Sequence, residues 1–529
     1  MSNVLSNKID FMLIISATNA NPNGDPLNGN RPRENYDGYG EISDVCIKRK
    51  IRNRLMDEGY SINAAMSIWQ KGWPILDSGR YYLGGIIYHY LLAGLYGISG
   101  GNIFGMRLLS VIIGMAGSGV LFKTAQKITR SNQASIWTLL LYWFGYWQIA
   151  WSRQIRMYEL TMLFLWLSVY FFWQVIEKGK DKWKKILVSL TFLVLATLCH
   201  PVVLLVGPVY LLIFWLFFPD PKSKKSITIW LLGLVLLWQI IGYFTIYRNL
   251  TLFYLIKNNL SLNFYLPSFL EFIGNSYLWQ SVLSLIAVVW FIIENKHSRQ
   301  TWFLALTYLF PLTIFCFFFR TLIFRYLFVF TPALLILNGM FITEILAEIK
   351  KKNVAYLSIA TLFALMIYSG ELVVWPKTFY KLESNPENSS KTYLSYTPQP
   401  NFATAYQTMR AQLAANDAVV SAYPHLTKIL LGQPGYWLKF DYIGAEKSDY
   451  YVDSNNREYY VNAETINNLD QLKELNQIKT VFIIYDRMAR DRLDGATLDW
   501  IEKNGHLLFF DQTNIYSQVW VWQINMKNN

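Results

Sequence analysis

Two adjacent carboxylates, Asp57 and Glu58, stand in Met56-Asp57-Glu58-Gly59-Tyr60-Ser61-Ile62, ahead of a long series of apolar stretches. Neighbours in sequence point apart on a helix, so the two acids would do different work. A solvated acidic loop reads the same way. Ser152-Arg153-Gln154-Ile155-Arg156-Met157-Tyr158-Glu159 sets two arginines and a glutamate at the edge of an apolar run. Charges at a membrane edge either snorkel to water or hold something; Glu159 lies further into the run and is harder to read as snorkelling. Arg320 and Arg325-Tyr326 form a second cationic corner, suited to a phosphate. His200 lies between two apolar runs, where a helix-break histidine is commoner than a ligand, and Arg80 ends the turn Asp77-Ser78-Gly79-Arg80.

Composition says what must position these groups. The 529 residues are 53% hydrophobic and only 16% charged, against about 25% charged in soluble proteins. With the apolar residues gathered into long runs, the chain reads as a polytopic membrane protein. Its net charge of +13 does not form one basic patch, which argues against a nucleic-acid partner. Cys46, Cys199 and Cys316 lie far apart, without metal-ligand spacing and without a disulfide framework.

Ten spans are expected, at roughly 103–126, 133–150, 155–176, 184–199, 201–218, 227–247, 277–294, 300–319, 323–346 and 354–375. Residues 62–71 and 81–97 read as helices lying in the interface. Basic clusters fall in every second loop, from Lys123 to Lys352, so those loops read as cytoplasmic. The alternate loops, with Arg153, Arg156, His200, Arg320 and Arg325, then face outward together with Asp57 and the C-terminal region. Residues 377–529 read as a small extracytoplasmic α/β domain, with a helix from Phe402 to Leu413 and strands at Ala418–Ala422, Thr480–Tyr485, His506–Phe510 and Tyr516–Trp522.

The opening 56 residues differ in character. Ile9–Ala17 reads as a buried strand, Asn19–Arg33 as a loop of turn formers, and Cys46–Leu55 alternates apolar and basic residues. The segment KIDFMLIISATNANPNGDPLNGNRPRENYDGYGEISDVCIKRKIRNRL resembles the start of the crRNA-binding backbone subunit of type I-C CRISPR Cascade. That resemblance implies only the beginning of an RRM-like domain, too little to bury a core alone.

From Asp57 onward, DEGYSINAAMSIWQKGWPILDSGRYY, RLLSVIIG, WSRQIRMYE, RYLFVFTPALL and PNFATAYQTMRAQLAANDAVVS together resemble the GT-C glycosyltransferases of family 39. These are the dolichyl-phosphate-mannose–protein mannosyltransferases and bacterial relatives such as the lipid A aminoarabinose transferase. The resemblance implies a mainly α fold, with a polytopic GT-C body and a small extracytoplasmic α/β domain, and a polyprenyl-phosphate sugar as donor. It implies membrane lipids as surroundings and a protein, lipid or glycan as acceptor. Asp57 falls where the family's catalytic base stands, with Glu58 beside it; outer arginines hold the donor phosphate. A divalent metal serves some relatives, but no ligand spacing for one is visible in this sequence.

The expected organisation is therefore 1–56 as the Cascade-like fragment, 57–102 as the outer acidic loop with interfacial helices, 103–376 as the membrane body, and 377–529 as the outer domain. The family's first transmembrane helix is missing before Asp57. The competing expectation is an inactive fusion, or an RNA-binding fragment with an unrelated membrane tail. Parity puts residues 1–56 outside although they carry eight Lys or Arg and six Asp or Glu, so they are expected to insert poorly and to touch the helical body little.

Overall fold

The apolar runs become helices whose ends are set by local chemistry. The computed structural model describes residues 24–25, 31–32, 55–177, 182–217, 225, 228, 260–320, 323–349, 352–372, 402–439, 455–511 and 518–526. Within the turn-rich opening, β1 (Gly24–Asp25) pairs antiparallel with β2 (Arg31–Pro32). The expected strand at 9–17, the span at 227–247 and the contacts of 1–54 lie outside the described residues, β1 and β2 excepted.

Two amphipathic helices precede the body, α1 (Leu55–Lys71) and α2 (Ile86–Ser99). A tight hairpin joins them: Ile75 bridges Tyr81, and the Leu76 N–H donates to the Arg80 carbonyl at 2.8 Å. Gly79 takes φ +77° in that turn, where a side chain would be strained.

The long helix α3 (Ile103–Thr129) starts at Asn102, whose Oδ1 accepts from the Phe104 N–H at 2.9 Å. Then come α4 (Asn132–Phe144), α5 (Tyr146–Ser152), α6 (Tyr158–Ile176), α7 (Lys182–Cys199) and α8 (Val206–Phe217). Further along lie α9 (Leu266–Ser276), α10 (Leu278–Ile293), α11 (Ser298–Phe317), α12 (Pro332–Glu348) and α13 (Lys352–Ser369). Gly339 lets α12 approach α4 closely, because a Cβ there would collide with the Ala134 carbonyl oxygen and the Thr138 hydroxyl. Small residues at such a crossing are how helices pack in lipid, where the hydrophobic effect no longer drives association.

Of the ten expected spans, 227–247 lies outside the described residues, and several of the others are interrupted. Among the described residues three helices, α3, α6 and α11, are long and apolar enough to cross a bilayer, or five if each bent pair is one span. Hydropathy runs straight through breaks that the backbone makes. The expected span 133–150 breaks at Gly145, which is extended and pairs with Leu372. The run 201–218 begins as a 3-10 turn, Pro201–Leu205. The run 323–346 begins as another, Phe324–Phe330, bent 49° against α12, while α9 meets α10 at 102°. Glu371 ties down one such break: its carboxylate accepts the Trp279 N–H at 2.7 Å and the Gln280 N–H at 3.1 Å, at the start of α10.

The C-terminal region is a six-stranded mixed sheet in the order β5-β4-β3-β6-β8-β7. Its strands are β3 (Ala418–Ser421), β4 (Tyr436–Leu438), β5 (Glu464–Ile466), β6 (Val481–Asp486), β7 (His506–Phe510) and β8 (Val519–Ile524). The first four are parallel, β8 runs antiparallel to β6, and β7 antiparallel to β8. Central β3 and β6 are buried at every residue, as strands covered on both faces must be. Flanking helices are α14 (Phe402–Arg410), α15 (Pro424–Leu431), α16 (Leu469–Ile478), α17 (Arg487–Arg490) and α18 (Gly495–Asn504).

Candidate active site

Glu58 lies in the first turn of α1 with no exposed surface. Arg107, about one turn into α3, donates Nη2 to Glu58 Oε2 at 2.6 Å and Nε to Oε1 at 3.0 Å. The Ile155 N–H adds a third bond to Oε1 at 2.9 Å. Both oxygens of Glu58 are thus taken up inside the protein, so this carboxylate fastens α1 to α3 and to the α5–α6 turn. Asp57 occupies the third position of α1; its side chain lies outside the described residues.

The Ile155–Tyr158 segment then turns inward. Arg156 is buried, with its guanidinium 5.9 Å from the Tyr158 ring. The Tyr158 ring stands 5.6 Å from His200, and His200 stands 4.5 Å from Tyr326. His200 Nδ1 accepts the Val202 N–H at 3.2 Å, capping the Pro201–Leu205 turn. Arg325, at half-burial, and Arg156 both lie within electrostatic reach of His200 and Tyr326. Four of the residues that the sequence singles out at the ends of apolar runs, Arg156, His200, Arg325 and Tyr326, therefore surround one spot.

The other candidates fall elsewhere. Arg153 and Arg320 are exposed, and Arg320 offers its carbonyl to the Tyr265 hydroxyl at 3.1 Å. Glu159 is fully buried in α6, where Oε2 accepts the Tyr142 hydroxyl at 3.2 Å against α3 near Gly114. Arg80 sits 4.3 Å over the Tyr459 ring. Among the described residues no three His, Cys, Asp or Glu side chains come together as a metal ion would require.

The C-terminal domain closes against this face. Tyr60 stacks on His425 at 4.3 Å and meets Tyr460 at 4.3 Å. Asp77 pairs with Lys428, and a Cβ on Gly59 would come within 2.7 Å of His425. Tyr459 and Tyr460 project from a turn that Glu458 organises, its Oε2 accepting the Tyr460 N–H at 2.9 Å and the Val461 N–H at 2.7 Å. Burial outweighs those two bonds and pushes the Glu458 carboxyl up to about 7.

Sequence reasoning missed Arg107, Tyr82, Tyr88 and His89. Arg107 had a usable signal: a lone arginine inside an apolar helix is expensive unless paired. His89 is fully buried, its ring 5.2 Å from Tyr82, and the neighbouring Tyr88 hydroxyl is 2.9 Å from Ser110 Oγ.

Two family models match the chain in separate stretches. "CRISPR-associated protein Cas7" matches residues 7–72, and "Dolichyl-phosphate-mannose-protein mannosyltransferase" matches residues 84–244. The Cas7 protein of Haloferax volcanii is 42% identical over 57 residues, 11% of this chain and 17% of that protein. The chain thus spans about a sixth of that relative's length. Among solved structures, ArnT from Cupriavidus metallidurans in the apo state superposes with a TM-score of 0.55 at 12% identity, over 90% of this chain and 96% of that one. The same enzyme bound to undecaprenyl phosphate gives 0.55 and 12%, over 90% and 95%. The Cas7 match runs through α1, past the boundary expected at residue 56, although Glu58 of α1 is anchored in the membrane body. The chain is a composite, in which an opening that resembles Cas7 leads into an integral-membrane helical body and α/β domain with the fold of GT-C glycosyltransferases.

Proposed function

We propose that the chain is a membrane glycosyltransferase that moves a sugar from a polyprenyl-phosphate carrier to a hydroxyl on a protein, lipid or glycan at the outer face. The observation that carries this reading is the joint approach of Arg156 and Arg325 to His200 and Tyr326, beside the loop that anchors Glu58. Two guanidiniums at a partly buried spot suit a lipid phosphate, because charge-assisted bonds strengthen as water is excluded. The undecaprenyl phosphate in the Cupriavidus metallidurans ArnT structure supports a carrier of that class.

The proposed chemistry is a single displacement. Asp57 takes the proton of the acceptor hydroxyl while that oxygen attacks the anomeric carbon. The bond from that carbon to the phosphate oxygen breaks, and the charge that develops on the phosphate is met by Arg156 and Arg325. The anomeric centre inverts. Glu58 acts by holding the first turn of α1, and Arg153 and Arg320 act at the rim, where the lipid phosphate enters.

Binding of radiolabelled undecaprenyl phosphate to the solubilised chain tests this reading. Replacing Arg156 and Arg325 by Met should weaken binding at least tenfold, since one charged contact contributes about 1.5–3 kcal/mol. Equal binding by both proteins would contradict it. A second reading, retained RNA binding, rests on the Cas7 match at 7–72 and would show as crRNA copurifying in high salt.

A further inference from the structure

His89 is a fully buried imidazole whose two ring nitrogens both lack a hydrogen-bond partner among the described residues. An imidazole always has a donor or acceptor on each nitrogen, and leaving both unmet carries a desolvation penalty that a hydrocarbon ring of similar shape would avoid. Packing alone therefore does not account for a histidine at this position.

The surroundings say what would satisfy it. His89 stands in the first turn of α2, its Cε1 close enough that a Cβ on Gly85 would sit 3.3 Å away. Arg156 acts on it electrostatically, as it does on His200 and Tyr326. It is thus a neighbour of the guanidinium assigned above to the donor phosphate. A sugar esterified to a phosphate held by Arg156 would bring its hydroxyls toward the side of the site where His89 stands.

The cover over His89 is an aromatic ring. Tyr82, half-buried, lies 5.2 Å from His89 on one side and 6.2 Å from Tyr460 of the C-terminal domain on the other. Tyr460 in turn stacks against Tyr60. Tyr82 therefore stands between the buried imidazole and Tyr460 of the C-terminal domain.

We propose that His89 is a sugar-binding residue of the donor site: Tyr82 swings aside as the donor enters, and the His89 imidazole then hydrogen-bonds a ring hydroxyl of the transferred sugar. The proposal rests on the glycosyltransferase reading and adds to it the group that recognises the sugar. The specificity that follows is for a hydroxyl, since a site built to pair one rejects the analogue that lacks it.

Three full-length proteins decide it: the wild type, His89→Phe and His89→Gln, each assayed for transfer from a polyprenyl-phosphate sugar and for melting temperature in detergent. The Phe ring keeps the packing and removes the unmet polar atoms, so its melting temperature should equal or exceed that of the wild type. Its transfer should nevertheless fall at least tenfold, with the effect on kcat and donor KM and none on acceptor KM. His89→Gln, which can still pair a hydroxyl, should transfer better than His89→Phe. Where Phe fails to fold, His89→Leu replaces it in the comparison with Gln. Wild-type transfer retained by His89→Phe, or a change confined to acceptor KM, would overturn the assignment and leave the glycosyltransferase reading standing. A wild type that transfers from no polyprenyl-phosphate sugar would overturn both.

Discussion

Arg107 reaches across 49 residues of sequence to grip Glu58 through two nitrogens, with a shortest contact of 2.6 Å. The pair is buried on both sides, and its Glu58 sits on α1, the helix where the Cas7-like match meets the membrane body. Whatever joined the two stretches, the first turn of α1 is fixed by a residue from the mannosyltransferase-like stretch.

Breaking that pair from one side should be severe. Arg107→Met leaves Glu58 as an uncompensated buried charge, and such losses run to about 3–5 kcal/mol. Arg107→Met with Glu58→Gln should recover much of the loss. Thermal unfolding in detergent, arranged as a double-mutant cycle, measures the coupling; additive losses would show that the two groups do not act as a unit.

Gly339→Ala should destabilise the body by about 1–3 kcal/mol, the usual range for overpacking. The added methyl collides with backbone and side chain of α4 at Ala134 and Thr138, and neither can yield cheaply. Gly119→Ala, on the same measurement, should be tolerated, because nothing stands within 4 Å of its Cβ position.

The C-terminal domain should lose stability as pH rises. Burial lifts Glu458 to about 7 and Asp486 to about 6, above their ordinary values of 4.5 and 3.8. In the unfolded chain both ionise near pH 4 to 4.5, while in the fold they stay protonated longer. The stabilisation is full below that range and is lost as pH climbs through 6 and 7, at up to about 3 kcal/mol per group. Thermal melts of the full chain from pH 4.5 to 8 check the sign, and Glu458→Gln should flatten the upper part of the profile.

Much of this architecture is legible from hydropathy and turn chemistry. The strands expected at Ala418–Ala422, Thr480–Tyr485 and His506–Phe510 match β3, β6 and β7 within a residue or so: buried parallel β3 and β6 read as apolar runs, and the antiparallel edge strand β7 carries the apolar run Leu507–Phe510. β4 and β5, three residues each, give no such signal. The breaks at Gly145 and before Pro332 stay hidden, since their flanks are as apolar as the helices they interrupt.

Site residues are legible by type rather than by placement. Arg156, His200, Arg325 and Tyr326 stand out as polar groups at the ends of apolar runs. What brings them together is the packing of α6 on α7 and on the Phe324–Phe330 turn, which no local pattern encodes. Arg153 and Arg320 look the same in sequence and end up exposed. Glu58 reads like half of a catalytic pair, and its Arg107 partner lies too far along the chain for spacing to reveal.

Transfer of radiolabelled sugar from a polyprenyl-phosphate donor, in membranes carrying either the wild-type chain or Asp57→Asn, tests the proposed chemistry most directly. The wild type should transfer and Asp57→Asn should lose about 10²–10⁴-fold, the range that a positioned general base supplies, while binding undecaprenyl phosphate unchanged. Equal transfer by the two proteins, or none by the wild type, would contradict the assignment.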